Sequence, residues 1–163
     1  MNFRFPCSAS FLAALACGAQ DGAPVPPSSP ALSRIVGQML TENPGWHLGT
    51  NDDCRNPGLK TKLVNNSAYQ AYRAIPDLNG DGQTDRVFVL IKDDSGKLYW
   101  IAGHDDGFEE ARLITELEHV RRGGLAISGQ SVMFGPFDSD VGEGWRWDAK
   151  INAFTRIPDP EAQ

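Results

Sequence analysis

The sequence predicts an α+β fold, one amino-terminal helix packed on a mainly antiparallel sheet of short strands. Three observations carry this prediction. Leu32, Ile35, Val36, Met39 and Leu40 fall at i, i+3, i+4, i+7 and i+8, one apolar stripe of a helix. From residue 69 onward the pattern changes to short β-branched and aromatic runs separated by Gly-, Asp- and Asn-rich turns. The 163 residues include 17 glycines and 11 prolines, a share that suits many turns joining short elements. The length suits one domain with a real core, placed at 30–158.

Residues 1–19 read as an export signal: Arg4 is the lone charge, Phe11 to Ala16 a short apolar core, and small residues follow. Two endings compete. Ala14-Leu15-Ala16 before Cys17 resembles a bacterial lipobox, which would make Cys17 the lipid-bearing residue. A conventional peptidase would instead cut after Ala16 or Ala19. The destination is the periplasm, the outer membrane through a lipid, or the medium. Cys7 leaves with the signal, so Cys54 is expected to be a lone thiol rather than part of a disulfide framework.

Residues 20–29 form a Pro/Ser/Ala-rich tether. Ser29 and Pro30 then supply an N-cap and a first-turn proline, and Asn43-Pro44-Gly45 ends the helix. Leu59 to Asn66 reads equally as short helix or loop, and Tyr69 to Ile75 as a strand. Arg86–Lys92 and Lys97–Ala102 are strands joined by the four-residue turn Asp93-Asp94-Ser95-Gly96. Val87, Val89 and Ile91 face one way and Phe88 and Leu90 the other, the pattern of a central strand covered on both sides. Ala111 to Thr115 is a further strand, and Glu116 to Arg122 an exposed charged run. Leu125–Ser128 with Ser131–Phe134, and Gly144–Asp148 with Ala153–Ile157, read as two hairpins. Residues 159–163 form a frayed tail.

The stretch with most chemical content is Asp77 to Asp85. Counted from Asp77, it places Asn79 at position 3, Asp81 at 5, Gly82 at 6, Gln83 (through its carbonyl) at 7 and Asp85 at 9. Oxygen donors at alternate positions around a glycine turn suit calcium, a hard cation that takes six to eight oxygens. An Asx-rich turn is the alternative, because Asn, Asp and Gly favour turns unaided. Position 12, where an EF-hand has a bidentate Glu, is Phe88, and the loop exits into a strand rather than a helix. The pattern D-x-N-x-D-G-x-x-D resembles the calcium loops of FG-GAP and VCBS-type repeats, and also those of dockerins and thrombospondin type 3 repeats. The strand exit favours the first comparison, which implies a structural ion leading into a central strand. The loop occurs once and no internal repeat accompanies it, so no propeller is implied. The whole resembles small exported bacterial proteins that carry a single such loop.

Catalytic patterns are sparse. His47, His104 and His119 form no H-x-x-x-H spacing. His104, followed by Asp105 and Asp106, could serve a hydrolase as general base, or lie on an ordinary turn. His47, Asp52, Asp53 and Cys54 match no ligand motif. Trp145 and Trp147 share one strand face and offer either a ligand platform or core packing. A formal charge of -6 without a Lys/Arg cluster argues against nucleic acid or an anionic membrane as partner. The expectation is therefore an exported, monomeric, non-enzymatic binding module with one calcium ion, whose partner is a protein or an envelope glycan. Its lone membrane contact would be the lipid. A small inhibitor or immunity-type protein is the alternative, and a hydrolase using His104 a more distant one.

Overall fold

Residues 29–137 and 142–158 are described in a computed structural model of the protein. The export signal, Cys17, the tether up to residue 28, the acidic positions 138–141 and the tail 159–163 lie outside the described residues. The first helix, α1 (Pro30–Glu42), starts as its sequence dictates: the Ser29 hydroxyl accepts from Leu32 N at 3.1 Å and proline occupies the first turn. It ends at Asn43, whose backbone N–H bonds the carbonyl of Met39. The apolar stripe packs against Phe88, Leu90 and Ile101.

Those three residues lie on one face of a five-stranded antiparallel sheet. Its centre is β3 (Arg86–Lys92), paired along its whole length with β4 (Ser95–Ile101). On the other edge β3 is shared by two short strands, β1 (His47–Leu48) and β2 (Arg73–Ala74). Beyond β4 lies β7 (Arg112–Leu117), displaced by a bulge at Leu98/Tyr99. The hairpin of β5 (Gly103–His104) and β6 (Gly107–Phe108) stands apart. A second, four-stranded antiparallel sheet runs β11-β10-β9-β8, from β8 (Gly124–Ser128), β9 (Ser131–Gly135), β10 (Glu143–Asp148) and β11 (Ala153–Arg156).

The second face of the first sheet, Val87, Val89, Ile91, Leu98 and Trp100, packs against Leu125, Val132, Phe134 and Trp145 of the second. The layers are thus helix, sheet, sheet, and the mixed α+β class holds. The two faces of β3 enter two separate apolar clusters, as its period-2 pattern requires.

Several elements differ from expectation. The segment that reads equally as helix or loop is a helix, α2 (Gly58–Asn65), seated on the core through Leu59, which makes two helices where the sequence predicts one. The first hairpin closes with two residues, Asp93-Asp94, not four. Lys92 pairs with Ser95 and Ile91 with Gly96. Gly96 is a strand residue, paired with Ile91 and Leu117, and its lack of a side chain makes room for Val120: an added Cβ would lie 2.7 Å from Val120 Cγ2. Tyr69 to Ile75 pairs only at Arg73 and Ala74. Before that the chain turns, held by Asn51, whose side chain donates to Tyr69 O and accepts from Ala71 N. The charged run 116–122 is not wholly exposed: Leu117 and Val120 are buried, one at the end of β7 and the other in the 3-10 turn Val120–Arg122. Among the described residues no helix is long and apolar enough to cross a membrane.

Candidate functional site

The loop Asp77–Asp85 connects β2 to β3 and is held by bonds from its backbone N–H groups to its own Asp and Asn side chains. Asp77 Oδ1 accepts from Gly80 N at 2.8 Å and Oδ2 from Gly82 N at 3.0 Å. Asn79 Oδ1 accepts from Asp81 N at 3.2 Å, and Asp81 Oδ1 from Gln83 N at 2.8 Å. Gly80 and Gly82 have φ of +77° and +87°, the left-handed region that their lack of Cβ permits. The register of glycines and acceptors read from the sequence is therefore the register of the turns.

Asp85 differs from the rest. It is 0% exposed. Its Oδ2 accepts from Leu78 N at 2.8 Å, inside the loop, and its Oδ1 from Gly103 N at 3.0 Å, at the start of β5. Its own N–H donates to Pro76 O at 2.6 Å. Asp85 thus ties the loop's end to its beginning and to the next hairpin. No ion pair reaches its carboxylate among the described residues. A buried carboxylate carries a desolvation cost, which backbone N–H donors to it offset.

The loop also touches two other turns. Gln83 Nε2 donates to Asp105 Oδ1 at 2.6 Å, in the β5–β6 hairpin. The tip at Gly80 lies against the Gln130 side chain, in the β8–β9 turn of the second sheet.

The donors are all oxygen, the chemistry a hard cation takes, and each carboxylate oxygen that accepts one N–H keeps a second lone pair. Their arrangement is less complete: Asn79 Nδ2 donates to Asp81 Oδ2 at 2.8 Å, and Asp85 is drawn beneath the loop. Among the described residues no group of three or more His, Cys, Asp or Glu converges as a metal cluster.

The other candidates are placed as follows. His104 is exposed on the β5–β6 hairpin, and no side-chain hydrogen bond joins it to a described residue. His47 Nε2 meets Asp53 Oδ1 at 2.9 Å, whereas Cys54 Sγ points to Gly123 O at 3.6 Å, so this quartet does not converge. Burial works against the Asp53 carboxylate, but bonds from His47 and Thr50 outweigh it and hold its pKa below the ordinary value. Trp145 is buried in the core. Trp147 is half-buried, 4.8 Å from Trp100 and 5.3 Å from Phe154, and the three rings close the end of the sandwich. The Trp145 and Trp147 rings thus pack inward, leaving only part of Trp147 within a ligand's reach.

Sequence reasoning missed a cleft of about 600 Å³, lined by Arg55, Asn56, Pro57, Asp94, Arg121 and Arg122 among others. Its arginines come from two distant segments, so local pattern carries little signal for it. No family model matches the chain, and no curated protein or solved structure is significantly similar to it.

Proposed function

We propose that the Asp77–Asp85 loop holds one structural calcium ion, and that the chain is an exported, non-catalytic binding module for a protein or glycan of the cell envelope. The observation that carries the calcium reading is Asp85, a fully buried carboxylate without an ion pair at the end of an all-oxygen loop. Asp77, Asn79, Asp81 and Asp85 would hold the ion with their side chains and Gln83 with its carbonyl. The ion would supply the positive charge that offsets three carboxylates within nine residues. Because the loop joins β3 to both neighbouring turns, its order supports the packing of the two sheets. Export would deliver the chain to the periplasm, to the outer membrane through an acylated Cys17, or to the medium. Mass spectrometry of the mature protein tests the lipid: no acyl mass on Cys17 means ordinary cleavage of the signal.

Titration calorimetry of the calcium-stripped protein checks the site. One site is expected, lost in Asp77→Ala and in Asp81→Ala. At one hundred times Kd, calcium should add about 2.7 kcal/mol, roughly 10 °C in Tm. Identical melting in calcium and in chelator refutes the reading.

A further inference from the structure

We propose that the cleft between segment 55–57, the Asp93-Asp94 turn and the Val120–Arg122 turn is a binding site for a small oxyanion-bearing ligand, an organic phosphate or a carboxylic acid. Arg55, Arg121 and Arg122 line it in a chain whose overall charge is -6, so the positive charge is local. The gathering is built by the backbone: Arg55 N donates to Arg121 O at 2.7 Å, and Asn56 Nδ2 donates to Arg122 O at 2.7 Å. Two segments that carry the arginines are thereby locked side by side.

The arginines have different duties. Arg121 is anchored, with Nε donating to Asp93 O and a terminal nitrogen 4.0 Å from Asp53 Oδ1. Arg55 and Arg122 are exposed, and no hydrogen bond joins either guanidinium to a described residue. Two carboxylates lie close by: Asp94, which lines the cleft and feels the charge of Arg122, and Asp53. Asp94 Oδ2 meets His119 Nδ1 at 3.0 Å and Oδ1 faces Arg121 N at 3.4 Å; Asp53 is held by His47 and Thr50. Two guanidinium forks are left to meet an incoming oxyanion, and such forks match carboxylate and phosphate geometry bidentately. A volume of about 600 Å³ suits a small organic molecule. With three arginines on an acidic chain, the site is too small in charge for a polyanion such as nucleic acid.

The site is independent of the calcium loop, so it is tested in chelator and again in calcium. Titrations of the full chain use inorganic phosphate and succinate separately, at ionic strength matched with chloride. Saturable binding of either probe is expected, weakened at least about tenfold by Arg55→Gln or Arg122→Gln. Arg→Lys at either position should fall between, keeping charge but losing the fork. Melting curves of the variants should match the parent, since both side chains are exposed. Preference for one probe assigns the ligand class. Absence of saturable binding by both, or equal binding by the Arg55→Gln/Arg122→Gln double variant, overturns the proposal while leaving the calcium reading untouched.

Discussion

Removing the Asp85 carboxylate should destabilise the protein whether or not calcium is present. Asp85→Ala leaves Leu78 N and Gly103 N without the acceptors they now meet at 2.8 and 3.0 Å. Asp85 is fully buried, so water cannot readily replace those bonds. Each stranded donor costs about 1–3 kcal/mol, which gives roughly 2–6 kcal/mol for the pair. Against a total stability of about 5–15 kcal/mol, that approaches global unfolding. Asp85→Asn keeps one acceptor but sets its amide N–H₂ against the other donor, and should lose about 1.5–3 kcal/mol. The assay is urea denaturation at 25 °C in chelator, comparing parent, Asn and Ala. A purely metal-ligand role for Asp85 would show its loss only in calcium. Should Asp85→Ala in chelator stay within about 0.5 kcal/mol of the parent, the limit expected of a neutral surface change, the latch argument fails.

Other outcomes follow from the same geometry. Trp100 is buried and its indole N–H has no hydrogen-bond partner among the described residues, so Trp100→Ala should cost about 3–5 kcal/mol, while Trp100→Phe, which also removes that donor, should cost clearly less by thermal melting. Gly82→Ala meets open space but keeps a φ of +87°, and should cost about 1–2 kcal/mol; Gly103→Ala, whose Cβ would run into the Thr84 carbonyl, should cost more. Burial, reinforced by nearby Cys54, pushes the Tyr69 and Tyr72 phenols up. Their folded-state pKa values lie above the unfolded value of about 10, so their contribution is complete below pH 10 and falls as pH rises beyond it. Absorbance at alkaline pH should show phenolate appearing together with unfolding, and Tyr72→Phe should flatten the loss; free ionisation near pH 10 in the folded chain would contradict this.

The parts legible in sequence are those that neighbours along the chain settle among themselves. Ser29, Pro30 and the stripe to Leu40 give α1 with its cap, since each contact spans three or four residues. The alternation from Val87 to Ile91 assigns each side chain to its face, because a strand's period is local. The acceptor register from Asp77 to Gln83 likewise appears as local side-chain-to-backbone bonds, with Asx turns at Asn79 and Asp81. The parts not legible depend on contacts between distant segments. Gly96 looks like a turn residue until Val120 is found pressing against it. Tyr69 to Tyr72 alternates like a strand, yet Asn51 captures its backbone and both phenols point to backbone acceptors, Leu125 O and Val120 O.

The loop and the rings show the same division. By itself the sequence determined that a loop of oxygen donors leads into a strand buried on both faces, since spacing fixes turns and faces without reference to the rest of the chain. Only the tertiary structure decided that Asp85 reaches Gly103, that Trp145 and Trp147 pack inward on the core, and that arginines some 66 residues apart share one cleft. The physical reason is that these contacts are made between layers, where the packing of one sheet on another, and not the period of either, sets what each side chain meets.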